Sequence, residues 1–166
     1  MTPLLLPEIV RIALIGVGAT LVMDAWLWGL KRLGVPSLNF AFVGRWVGHV
    51  MKGRWVHEAI TKAPPVRHEA ALGWLVHYSV GLVFAALLAM WCGLGWVHQP
   101  SLAPALIFGV ASTVVPLFVM QPAMGAGIAS SKTPTPLKNC LKSLATHTVF
   151  GVGLYLSALF IERTLP

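Results

Sequence analysis

Four long apolar runs, separated by polar connections, dominate the chain: Ile9 to Leu30, Ala70 to Trp96, Leu102 to Met124 and Leu137 to Ile161. A hydrocarbon core about 30 Å thick takes roughly 20 helical residues to cross, so each run is long enough to span it. Backbone groups in lipid must be satisfied within their own segment, which predicts helices rather than open sheet. The pattern therefore predicts an all-α, polytopic membrane protein, a single four-helix domain over residues 1–166 with a long first connection at 31–69.

Inside that connection the pattern changes. From Ser37 the stretch SLNFAFVGRWVGHVMKG places Val43, Trp46, Val47 and Val50 on one helical face and Arg45, His49 and Lys52 on the other. This predicts an amphipathic helix lying on the cytoplasmic membrane surface, with Ser37 as its cap and Gly53 as its left-handed end. GRWV then recurs nine residues after its first copy. Nine helical residues turn through about 900°, so a continuous helix would aim Trp46 and Trp55 in opposite directions and must break between them. Arg45, Trp46, Arg54 and Trp55 then read as interfacial anchors, with the bilayer and its anionic headgroups as partners. The other tryptophans fit the same division, Trp26, Trp28 and Trp74 at the inner interface and Trp91 and Trp96 at the outer. The functional alternative is a lid over the inner mouth of the bundle, with His49 and His57 facing what enters.

Composition reinforces the membrane reading: 57% of the 166 residues are hydrophobic and 10% charged, against about a quarter charged in soluble domains. The net charge of +7 follows topology rather than any nucleic-acid motif. Of the 12 Lys and Arg, Lys31, Arg32, Arg45, Lys52, Arg54, Lys62 and Arg67 lie in the first connection and Lys132, Lys138 and Lys142 at the last, leaving Arg11 and Arg163 for the other side. The positive-inside rule then puts both termini outside the cytoplasm. The N-terminus has no basic region and no small-residue cleavage site before its apolar run, so the first helix reads as retained. Cys92 and Cys140 read as inert apolar thiols with no CxxC partner.

Each span carries one conspicuous polar side chain, Asp24, His77, Gln121 and His147, and all fall in the cytoplasmic half of the bilayer. An ionisable group there is costly and should face the bundle interior. A faint duplication runs through them: VMD at 22–24 echoes VMQ at 119–121, and HYSVG from His77 echoes HTVFG from His147, which would make the halves parallel repeats. The HxxxG spacing sets Gly81 and Gly151 one turn beyond each His, where a neighbouring helix can approach. Pro116 and Pro122 interrupt the third span and free carbonyls beside Gln121. Several readings stay open for this polar layer. It is a set of structural helix-to-helix bonds, a proton or cation relay with Asp24 as carrier, or a metal or haem site using His77, His147 and Asp24. No cofactor is firmly implied.

Familiar catalytic signatures do not lift the chain into an enzyme class. His57-Glu58 and His68-Glu69 lack the second His that a zincin helix needs four residues on, and the four GxG copies never extend to GxGxxG. The stretches IGVGATLVMDAW, GVPSLNFAFVGRWVGHVMKGRW, APPVRHEAALGWLVHY, VMQPAMGAGIASSKTP and HTVFGVGLYL resemble a family of small bacterial inner-membrane proteins catalogued as domain of unknown function 2938. The resemblance implies a bacterial cytoplasmic-membrane location and a four-helix fold, and it implies no substrate. Function is thus expected to be a proton- or cation-linked transport through Asp24, His77, Gln121 and His147. The competing expectation is a non-catalytic factor acting through the basic surface of residues 31–69, with homo-oligomer formation open.

Overall fold

The computed structural model describes residues 5–36 and 38–165. Among them the chain is all-helical, with no strand. In order come α1 (Leu5–Arg32), α2 (Phe40–Val50), α3 (Glu69–Cys92), the short α4 (Gly95–His98), α5 (Leu102–Ser112), a π-helical segment (Val115–Met120), α6 (Gln121–Ala123) and α7 (Pro136–Thr164). Four helices are long and apolar enough to cross a membrane: Pro7–Arg32, Glu69–Cys92, Leu102–Ala123 and Pro136–Thr164. They match the four expected runs, except that Gly93, at φ +80°, ends the second span early. The residues up to Trp96 belong to α4 instead.

Only 22 to 39% of each span's most apolar window is buried inside the protein. Large side chains such as Leu75, Val83, Met90, Ile107 and Phe160 stand exposed along the helices. Water would not tolerate so continuous an apolar surface. The four apolar helices mark a membrane protein.

The chain clusters into two compact units. The first comprises Met1–Val35, Tyr78–Ser112 and Thr146–Pro166. Its core is built from Ile15, Ala19, Leu88, Ala105, Phe150 and Leu154, with Phe84 set edge-on to both Phe108 and Phe150. Small residues let its helices meet backbone to backbone. A Cβ added at Gly81 would lie 3.3 Å from Gly16 O and 2.1 Å from the Thr20 hydroxyl. One added at Gly151 would lie 2.6 Å from Ala105 O. Both HxxxG glycines therefore mark crossings, α1 with α3 and α5 with α7, as their spacing anticipates.

The second unit comprises Pro36–His77 and Thr113–Ala145. Here α2 packs on the start of α3 through Gly44, whose added Cβ would stand 1.9 Å from Glu69 O, and through Gly48 against Val66. Ser37 lies outside the described residues; the Asn39 side chain accepts from the Ala41 amide and caps the helix. Gly53, at φ +82°, ends the helix region with Arg54 N–H on His49 O, which is the expected break between the two GRWV copies. The buried face of α2 is Val43, Gly44, Arg45 and Gly48, so Arg45 points into the protein and not toward solvent or headgroups. Pro116 lies within the π-helical turn, where Gln121 N–H bonds to Pro116 O, five residues back.

Candidate functional site

The second unit carries an open cleft of about 480 Å³. Its walls come from the stretch after the second GRWV and from the end of the third span. Helix ends leave carbonyls without intrahelical partners, and here the connection takes them: His57 N–H bonds to Ala123 O at 2.8 Å and Ile60 N–H to Met124 O at 2.9 Å. Gly125 permits this docking, since its φ of +94° suits glycine and an added Cβ would sit 2.1 Å from Glu58 O. The end of the third span is thus bonded by residues 57–60.

Arg45 clamps the other side of the same stretch. Its guanidinium makes two bonds to Glu69, Nε to Oε2 at 2.8 Å and Nη2 to Oε1 at 2.7 Å. Nη1 then reaches the carbonyls of Ile60, Thr61 and Ala63 at 3.4, 3.4 and 3.1 Å. The bond to Glu69 raises the Arg45 pKa above its already high ordinary value, opposing the effect of burial. Trp46 donates Nε1–H to Trp55 O at 2.9 Å, so the first GRWV holds the second. Of the four expected anchors, Arg54 and Trp55 are exposed, Trp46 is half-buried and Arg45 is buried.

Four ionisable side chains besides His57 line the cavity: Arg54, Glu58, Lys62 and Lys132. Among the described residues none of the three cations has an acidic partner. His57 is only 3% exposed, and neither ring nitrogen has a hydrogen-bond partner. Its ring meets the His49 ring edge-on at 4.9 Å between centroids. Burial, then the nearby Arg54 and His49, push its pKa below the ordinary value. His57 is therefore a neutral, buried imidazole beside an electropositive cleft, with both ring nitrogens closed off from solvent. Apolar atoms of Val56, Ala59, Ala63, Pro64 and Pro122 complete the lining.

The four intramembrane residues each have a local partner. In the first unit, Tyr78 donates its hydroxyl to Asp24 Oδ2 at 2.9 Å. There too, His147 Nδ1 lies 2.7 Å from Ser112 Oγ, which itself donates to Gly109 O at 2.7 Å. A hydroxyl has one proton to give, so this network makes His147 Nδ1 the donor. In the second unit, His77 stacks on Phe40 with centroids 4.3 Å apart. Gln121 Oε1 accepts from Ser130 Oγ at 2.8 Å, steadying a loop in which Ala129 and Ser130 both take positive φ. Lys132 N–H on Ala126 O closes that loop and sets the Lys132 side chain at the cavity. Among the described residues no group of three His, Cys, Asp or Glu is arranged to hold a metal ion.

A family model described as a protein of unknown function, DUF2938, matches residues 13–161. The chain belongs to the DUF2938 family. No curated protein and no solved structure matches it.

Within this family member, sequence reasoning overlooked three features that the fold assembles. Tyr78, beside the His77 that drew attention, is the residue that meets Asp24. His98 bridges two carboxylates, with Nε2 2.9 Å from Glu8 and Nδ1 3.3 Å from Glu162, and Arg11 also bonds Glu162 at 3.1 Å and the Leu165 carbonyl. Trp96, expected at the outer interface, is buried with Nε1–H on Ser101 O. The hydropathy pattern gave no signal for His98, because a polar residue at the edge of an apolar run reads as a boundary.

Proposed function

We propose that this protein is a membrane-embedded binding protein that takes a small anionic ligand into the cavity of its second unit. The observation that carries this reading is a cleft rimmed by Arg54, Lys62 and Lys132, none of which has an acidic partner among the described residues. Three cations gathered around one cleft without acidic partners favour an anion there. The test is saturable binding of polyvalent anions to detergent-purified protein by calorimetry, with chloride as the control. Binding should survive in wild type and fall about 10-fold or more in Lys62→Gln with Lys132→Gln, as the loss of charged hydrogen bonds predicts. Absence of any saturable anion binding would remove the reading.

This reading places the protein in a bacterial cytoplasmic membrane, with the cavity on the cytoplasmic side and both termini outside. The support is the concentration of ten of its 12 basic residues in the connections at 31–69 and around 132–142. Arg54 and the exposed Trp55 then sit at the headgroup layer beside the cavity. An alkaline phosphatase fusion after Pro166 should be active and one at Lys132 inactive; the reverse pattern would place the cavity on the outer side.

A second reading, proton- or cation-linked transport, draws on the Tyr78 bond to Asp24 at 2.9 Å within the spans. A carboxylate there is costly unless partnered and commonly marks an ion pathway. Under this reading Asp24→Asn abolishes pH-driven flux in proteoliposomes while the purified protein remains folded. An unaltered flux, or none in the wild type, would leave Asp24 and Tyr78 as a structural clip.

A further inference from the structure

The stretch after the second GRWV is fastened at both ends by groups that keep their charge or carry none around neutral pH. At one end the Trp46 indole holds Trp55 O. At the other, Arg45 holds the carbonyls of Ile60, Thr61 and Ala63. Its partner Glu69 stays ionised, because the bonds from Arg45 and from the Val66 amide hold its pKa down to about 2. Between these fastenings the chain docks on the end of the third span, with His57 N–H on Ala123 O at 2.8 Å and Ile60 N–H on Met124 O at 2.9 Å. The His57 side chain is shut into that joint.

A shut imidazole has nowhere to carry a second proton. An imidazolium has two N–H groups to satisfy, and burying its charge unpaired is costly. Here both ring nitrogens are closed off from solvent and neither has a hydrogen-bond partner. The charged and titratable groups that face the ring are Arg54 from its own segment and His49 from α2, the latter edge-on at 4.9 Å between centroids. At the adjoining cleft stand Glu58 and Lys62 from the same segment and Lys132 from the loop after the third span. None of these accepts a bond from the ring. Once opened to water, the same imidazole titrates at about 6.5. A group whose pKa is lower when docked than when open contributes stability that is fully present above the open-state value and is lost as the pH falls below it.

We propose that His57 makes this joint an acid-released latch, in which residues 56–60 stay docked on the end of the third span at neutral pH and lift from it on acidification, while the Arg45 and Trp46 fastenings persist. Docking and protonation of the ring exclude each other, so a local change of charge biases a two-state contact. The cleft takes its walls from both sides of the joint, Glu58 and Ala59 against Pro122 and Gly125, so release also dismantles the cleft. The latch operates whatever the cleft binds.

Hydrogen exchange on the full-length protein in detergent, corrected for the intrinsic pH dependence of exchange, tests it at the Ile60 amide. Protection there should fall about 10-fold between about pH 7.5 and about pH 5.5, the shift that one proton taken up near 6.5 allows. Amides in the middle of α7 should change little. His57→Phe keeps a ring of similar size and removes the proton, so its Ile60 protection should be equal at the two pH values. His49→Gln keeps a donor for Pro64 O, which lies 3.0 Å from His49 Nε2, and should retain the fall. Should His57→Phe fail to dock at neutral pH, His57→Leu takes its place. Flat protection in the wild type, an undiminished fall in the docked His57 variant, or a fall abolished by His49→Gln would each overturn the latch. A fall shared equally by α3 and α7 would overturn it too, as global unfolding.

Discussion

Arg45→Met should destabilise the protein by about 3 to 5 kcal/mol, the usual cost of breaking a buried ion pair by removing one partner. The change leaves the Glu69 carboxylate, itself only 19% exposed, without its two guanidinium bonds. It also strips the carbonyls of Ile60, Thr61 and Ala63 of a donor. Arg45→Lys keeps the charge but loses the planar fork, and should cost less than Arg45→Met but more than a surface substitution. The double change Arg45→Met with Glu69→Met should recover much of the loss, because no uncompensated charge remains. Equilibrium unfolding in mixed micelles measures all three. A loss below about 1 kcal/mol for Arg45→Met would class the pair with exposed surface bridges, and would contradict its burial.

The same residues explain what could be read from the sequence and what could not. The four spans were legible because length and apolarity alone decide them, and Gly53 was legible because a glycine after a helical pattern has few other uses. The direction of Arg45 was not. A helical-wheel reading assigns every charge on a short amphipathic pattern to the polar face, and nothing local reveals that Glu69, 24 residues later, would call Arg45 inward. The repeated GRWV looked like two equivalent anchors. In the fold the copies divide the work, the first packing on α3 and bonding Trp55 O, the second remaining exposed beside the cavity.

The polar layer shows a related limit. Depth along each span follows from residue number, but the rotational facing of a side chain changes by about 100° per residue. The Tyr78 bond to Asp24 is a contact that depth alone does not reveal. The buried state of His57 was equally illegible, since it depends on residues 57–60 docking on Ala123 and Met124, a contact made possible by the bare backbone of Gly125. Sequence placed His57 on a lid facing an entrant; in the structure both of its ring nitrogens are closed off from solvent, beside a cleft with three cations.

Gly73→Ala should be among the most damaging single-methyl changes in the chain. An added Cβ would stand 1.8 Å from Phe40 O and 2.6 Å from Phe40 C, and both are backbone atoms that no rotamer change can move. Elsewhere a methyl in a helix interior helps: Gly29 has nothing within 4 Å of its added Cβ, so Gly29→Ala should stabilise by about 0.5 to 1 kcal/mol through helix propensity. At Gly73 that gain is outweighed by overpacking, which costs about 1 to 3 kcal/mol where neighbours can shift and more where they cannot. The start of α2 must lift from α3, and with it the geometry that brings Gly44 against Glu69 and Arg45 onto its carboxylate. Gly73→Ala should therefore lower the melting temperature and also open residues 54–63 to proteolysis, while the spans stay inserted. If Gly73→Ala and Gly29→Ala behaved alike, the close approach of α2 and α3 would be refuted, together with the seating of Arg45 that depends on it.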